Sequence, residues 1–246
     1  NMNNEDEKMA RSIMESGFEH IKDKLFIRVY GVGINEEDFS FLPNTKINNL
    51  AITYSVLIDK VTDDSAIKSI TFTNELLDKY GVSKEELHKA AMENSEKIFP
   101  AKYYKMNDLV PFKVLTNEMG CLGAAALFYP NQMEKIAASL GGNYFVLPSS
   151  IHEVLVLPDD GNINYMELEQ IVKEVNETTV DRKDQLSNNV YYYDSKERIF
   201  SSAAEHEKRS KNIDNKSDGF LDKTKKFSKD NDVSKENITK NNEIEL

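Results

Sequence analysis

Two four-residue segments constrain this chain more than any other feature. Residues 144–147 read YFVL and residues 154–157 read VLVL, with no polar residue interleaved. A β-strand sends successive side chains to opposite faces, so a strand that is apolar throughout is covered on both sides. Between the two lies PSSIHE, a bend carrying two hydroxyls, an imidazole and a carboxylate. The fold must bury this pair of strands twice over, with cover drawn from elsewhere in the chain.

The sequence just upstream supplies part of that cover. Residues 112–116 read as a strand and Asn117, Glu118, Met119 and Gly120 as a hairpin-type loop. Residues 121–129, CLGAAALFY, are small and apolar and are read as the returning strand. Asn131 with Glu134 has capping-box spacing, and Met133, Ile136, Ala137 and Leu140 recur at the period of one helical face. Gly141 and Gly142 end that helix. The expected order is strand, strand, helix, strand, strand, in a mainly antiparallel central sheet. The helix covers one face; the other falls to the N-terminal half, to a helix starting near Asn164, or to a partner.

The rest of the chain is read by the same signals. Met9, Ile13, Phe18, Ile21 and Leu25 suggest one helix over 8–24, followed by a strand over 25–30. Gly31-Val32-Gly33 is a bend without the third glycine of a nucleotide-binding loop. Residues 34–48 read as loop. Residues 50–58 and 66–73 form an antiparallel hairpin around a polar turn at 59–64. A short helix over 74–80 ends at Gly81, and Ser83 with Glu86 opens another whose inner face holds Leu87, Ala90, Ala91, Asn94 and Ile98. Residues 101–110 link into the central stretch. Leu168, Ile171, Val172 and Val175 mark a later helix. A polar connection at 177–189 leads to a hairpin over 190–194 and 198–200. The fold class is α+β. The expected organisation is an N-terminal helix/hairpin/helix lobe at 1–105, a central unit at 106–202, and a disordered tail at 203–246 that is too polar to offset the entropy of ordering.

Charge separates the function classes. Residues 201–246 hold ten acidic and ten basic side chains, so residues 1–200 carry the whole net charge of −11. An acidic domain repels phosphate backbones and anionic lipid, which argues against nucleic acid as a partner. No run is long enough to span a membrane as a helix. One cysteine, Cys121, forms no internal disulfide, which fits a reducing, cytoplasmic setting. His20, His88, His152 and His206 are isolated, and the pairs Glu37–Asp38 and Asp159–Asp160 are read as solvated. No metal and no cofactor is implied.

Five runs carry a resemblance: VLTN at 114–117, GAAALFYP at 123–130, LGGNYFVLPSSIHEVLVLP at 140–158, EVNETTV at 174–180 and VYYYD at 190–194. Together they resemble the bacterial domain-of-unknown-function family 5688 over roughly residues 10–200. Thr179 and Asn188 depart from its pattern, where Gln and Asp are common. The resemblance implies a shared fold and no particular reaction.

The candidate binding residues are Asn117, Ser149, Ser150, His152 and Glu153. A serine becomes a nucleophile only when a base lies within hydrogen-bond reach and a third group orients that base. His152 and Glu153 are the local candidates, but no G-x-S-x-G elbow presents a serine. The structural alternative is a turn in which Ser149 or Ser150 bonds the backbone and His152 pairs with a neighbour; it is preferred. Asn117 meets the serine loop if the two loops share a sheet end, but a turn residue serving the backbone is the preferred reading. Cys121 is read as a small buried apolar residue. Tyr191, Tyr192 and Tyr193 are read as half core, half surface. The segment FLDKTKKF at 220–227 is a short amphipathic stretch read as solvated linker. The sequence favours a cytoplasmic, non-enzymatic module that binds a protein or small molecule; the alternative is a hydrolase-like enzyme using the Ser/His loop at 149–153.

Overall fold

The structure is a computed structural model that describes residues 4–34, 39–61 and 66–212. The Glu37–Asp38 pair, residues 62–64 of the expected turn, and the tail from residue 213 with its FLDKTKKF segment lie outside the described residues.

The N-terminal helix is broken. Helix α1 spans Asn4–Glu15 and α2 spans Phe18–Ile21, where the apolar spacing predicts a single helix. Gly17 between them is extended, with φ −76° and ψ 163°. Glycine weakens a helix interior, and the Ser16 hydroxyl bonds back to the Ile13 carbonyl at 2.7 Å, closing off the first helix.

The first sheet is built around one long strand. Strands β1 (Leu25–Gly31), β2 (Thr45–Ile47) and β4 (Ala66–Thr71) all pair antiparallel with β3 (Leu50–Val61). The region expected as loop thus contains β2, which Asn48 turns into β3 from a left-handed φ of 56°. Helix α3 (Asn74–Tyr80) ends at Gly81 with φ 63°, and α4 (Lys84–Ile98) opens with the expected reciprocal Ser83–Glu86 box. Helix α4 buries Leu87, Ala91 and Ser95. The Ser95 hydroxyl accepts the Ile27 N–H at 2.9 Å and donates to the Ala91 carbonyl at 2.6 Å, so it ties α4 to β1. His88 is half-buried, with Nδ1 2.8 Å from the Tyr54 hydroxyl.

The second sheet holds the two constraining strands at its centre. Its strands are β5 (Ala101–Lys105), β6 (Lys113–Asn117), β7 (Tyr144–Leu147), β8 (Val154–Pro158), β9 (Tyr191–Asp194) and β10 (Ile199–Ser202). Their order is β10-β9-β7-β8-β6-β5, antiparallel throughout. The register of β7 on β8 runs from Tyr144 opposite Pro158 to Leu147 opposite Leu155. Residues 101–105, expected as a link, form an edge strand. Lys102 and Lys105 are two of its five residues, which suits an edge and hid the strand signal.

Residues 121–129 are not a strand. Gly123–Phe128 form a buried 3-10 segment that leads to helix α5 (Gln132–Leu140). A short apolar run fits either a buried strand or a buried helix, and here the small alanines allow the tighter coil. Nor does the expected capping box form. Asn131 is left-handed at φ 59° and makes no side-chain cap bond, whereas an N-cap oxygen reaches the helix from extended backbone.

Both faces of the second sheet are covered, as the strand composition demands. Tyr144, Val146, Val154, Val156, Tyr191 and Tyr193 join a core that also contains the 3-10 segment, Ile136 of α5 and the inner side of the first sheet. Phe145, Leu147, Leu157 and Tyr192 join a second cluster with Leu168 and Val172 of helix α6 (Tyr165–Thr178). All three tyrosines of β9 are buried, not half exposed. Each such large side chain contributes about 1.5–3 kcal/mol by leaving water. The described residues up to Ala203 form one compact unit. Residues 203–212 are helical, so the disorder expected from 203 does not begin there.

Candidate functional site

The hydroxyl-rich bend of residues 148–153 is held between two other segments. On one side Ile151 donates its N–H to the Asp184 carbonyl at 2.8 Å, while Leu186 and Ser187 donate theirs to Ser149 and Pro148 at 3.0 and 2.9 Å. On the other side the Thr116 hydroxyl donates to the His152 carbonyl at 2.7 Å and Ala124 donates its N–H to the Ile151 carbonyl at 3.1 Å. The backbone is thereby satisfied in both directions, as a buried main chain must be. Gly123 makes the second seam possible. A Cβ there would lie 2.1 Å from Thr116 Oγ1 and 2.6 Å from both the Asn117 nitrogen and the His152 carbonyl oxygen.

His152 is engaged at both ring nitrogens. Nδ1 accepts the Leu122 N–H at 3.2 Å, and Nε2 faces the Asp184 carboxylate at 3.5 Å. An acceptor role at Nδ1 puts the proton of the neutral ring on Nε2. The Ser150 hydroxyl oxygen accepts the His152 backbone N–H at 3.0 Å, a local side-chain-to-backbone turn. Neither His152 nor Glu153 lies in a strand.

Asn117 comes to the seam but not to the surface. It is buried, its amide donates to the Cys121 carbonyl at 2.8 Å, and its oxygen accepts the Met119 N–H at 3.0 Å. Its side chain holds the 117–121 loop. Ser149, Ser150, His152 and Glu153 instead line an open cleft of about 500 Å³ with Thr179, Asp181 and Asp184. Leu155, Val175 and Met106 give it an apolar wall. Thr116 and Leu122 both bond to His152, whereas the Asn117 side chain keeps to its own turn.

Cys121 is half-buried. Burial pushes its thiol up, the Arg28 guanidinium opposes that more weakly, and Asp184 adds to it. The thiol therefore stays protonated at neutral pH, and the electropositive neighbour that the sequence did not reveal is outweighed. Among the described residues, no group of three or more His, Cys, Asp or Glu is placed to hold a metal ion.

Thr179, Asp181 and Asp184 are the site residues that local sequence reasoning missed. They sit in the polar connection after α6, about thirty residues from the bend, and the backbone bonds of Asp184, Leu186 and Ser187 to the bend bring them in. Residues 185–191 also reach the first sheet. The Tyr191 hydroxyl donates to Asn49, Asn49 donates to Asn189 at 3.0 Å, and Asn176 of α6 donates to the Ser187 carbonyl at 3.0 Å.

These features define an α+β domain of two antiparallel sheets on a common core, with a polar cleft at one end of the second sheet. The chain belongs to the family of unknown function DUF5688, whose model matches residues 1–113 and 110–195. No curated protein and no solved structure matches it. Among the described residues, no helix is long and apolar enough to cross a membrane.

Proposed function

We propose that the chain is a non-enzymatic binding module, and that the cleft beside residues 149–153 takes a protein segment or small molecule. The observation that carries this reading is the double engagement of His152. A general base needs a free lone pair aimed at the nucleophile's proton. The one lone pair of the neutral His152 ring accepts the Leu122 N–H, and its other nitrogen faces Asp184. A hydrolase using Ser149 or Ser150 with His152 would have to break the contact that holds Leu122. The cleft, by contrast, offers what a ligand site needs: an apolar wall with a few convergent polar groups. The acidic charge of residues 1–200 disfavours nucleic acid, and the single cysteine suits the cytoplasm.

The test is a thermal-shift screen of metabolites and short peptides against the full chain. A ligand that favours the native state raises its melting temperature. The expected result is a hit whose effect is lost in Thr179→Trp, which fills the cleft mouth. Turnover of any substrate that disappears in both Ser150→Ala and His152→Ala, with folding intact, overturns the reading.

A further inference from the structure

A second open depression, of about 370 Å³, shares no lining residue with the cleft beside residues 149–153. One wall is a stripe along α5 that runs from Glu134 past Ala137 and Ala138 to Gly141 at the helix end. These residues recur at intervals of three and four, so they share one helical face. A rise of about 1.5 Å per residue makes that wall roughly 10 Å long. The other wall is the β9–β10 turn, which presents Tyr193, Ser195 and Arg198. The two walls are pinned to each other. Ser195 donates its N–H at 2.9 Å and its hydroxyl at 2.8 Å to the side-chain oxygen of Asn143, just past the end of α5. Arg198 completes the turn from a left-handed φ of 56°.

Tyr193 is the independent observation. It is 2% exposed, it lines this depression, and its hydroxyl makes no hydrogen bond among the described residues. Burial raises its pKa, Glu134 raises it further and Arg198 lowers it, so both charges stand beside the hydroxyl. Those charges also face each other, at 3.4 Å, with the Arg198 and Glu134 side chains 66% and 38% exposed. The hydroxyl therefore points towards the depression and lies next to its exposed ion pair. An exposed pair contributes little to stability, whereas a buried hydroxyl without a partner is costly. A ligand that parts the pair and bonds the hydroxyl loses little and relieves that cost.

Such a ligand has to answer a guanidinium and a carboxylate together. A simple anion suits Arg198, but Glu134 opposes it and so does the net charge of −11 on residues 1–200. A simple cation suits Glu134 and leaves Arg198 and the Tyr193 donor unserved. A small zwitterion with its two charges close together serves all three groups.

We propose that this depression binds a free α-amino acid. Its carboxylate accepts hydrogen bonds from Arg198 and the Tyr193 hydroxyl, and its ammonium donates to Glu134. Its side chain runs along the Ala137 and Ala138 methyl groups towards Gly141.

A thermal-shift assay of the full chain against each of the twenty standard L-amino acids, followed by calorimetric titration of the strongest, tests this site. The hit should bind at least tenfold more tightly than its N-acetyl and carboxamide derivatives, each of which lacks one charge. Its binding should survive Thr179→Trp, which separates it from the cleft beside residues 149–153. Tyr193→Phe should weaken binding about tenfold and leave the urea midpoint unchanged or higher, because it removes an unpaired buried oxygen. Arg198→Gly should abolish binding and raise the midpoint, because glycine takes the left-handed backbone without strain. Side chains that served folding alone would lower the midpoint in both variants and leave affinity as it was. The assignment is overturned by no shift with any of the twenty, by equal binding of either blocked derivative, or by binding indifferent to Tyr193→Phe and Arg198→Gly. A hit that disappears in Thr179→Trp overturns it too, while supporting the cleft proposed above.

Discussion

His152 Nδ1 accepts the backbone N–H of Leu122, a non-glycine residue held at a left-handed φ of 56°. The left-handed region costs an ordinary side chain about 1 kcal/mol or more, so the bond compensates a strained backbone. The imidazole is used as a structural acceptor that joins the bend after β7 to the loop before the 3-10 segment.

This relationship makes a substitution series discriminating. His152→Ala leaves the Leu122 N–H without its acceptor and should cost about 1–3 kcal/mol in urea unfolding. His152→Asn keeps an oxygen near the place of Nδ1 and should recover most of that loss. Equal losses in the two variants would remove the acceptor role.

Gly123 should tolerate no side chain. Its Cβ would lie 2.1 Å from Thr116 Oγ1 and 2.6 Å from two backbone atoms, so Gly123→Ala must open the seam between the two loops. The expected loss is about 3 kcal/mol, with reduced cleft binding. Gly142→Ala is the control, because nothing lies within 4 Å of its Cβ position. Its effect should stay within about 0.5 kcal/mol when both variants are compared by urea unfolding.

His88 should make stability fall in mild acid. Burial, and then Lys84, lower its pKa from the ordinary 6.5. The unfolded chain therefore binds the proton more readily, and stability held above pH 6.5 is lost as the pH drops from there towards the lower folded value. His88→Gln should flatten that part of a plot of unfolding free energy against pH. An unchanged slope would exclude His88 as its source.

The buried tyrosines should resist ionisation in base. Burial is the main cause that raises Tyr191 from 10.0 to about 12, and it also raises Tyr129, Tyr144 and Tyr192. Their unfolded forms ionise first, so stability present below pH 10 is lost as pH rises through 10 towards 12 for Tyr191. Tyrosinate absorbance should lag behind that of free tyrosine and then rise together with loss of secondary structure. Early, non-cooperative ionisation of these residues would contradict their burial.

Where the signal was local, the chain was legible. The β7 and β8 strands, the β3–β4 hairpin, the Gly81 and Gly141 helix ends and the Ser83–Glu86 box all stand where periodicity and capping put them. The misreadings share a cause. Residues 121–129 are apolar at nearly every position, which signals burial and not conformation. Strand β5 presents lysines because it is an edge, and Asn131 takes a left-handed backbone that no local pattern announces. Of the candidate site, Ser149, Ser150, His152 and Glu153 do share a cleft, while Asn117 is spent on its own loop.

The order of residues alone determined that 144–147 and 154–157 are interior strands, because side chains that are apolar on both faces have no stable place except between two covering layers. Tertiary structure decided what His152 does and what surrounds it. Leu122 and Asp184 are each about thirty residues away, and a ring nitrogen's role is set by whichever group the packed backbone brings to it.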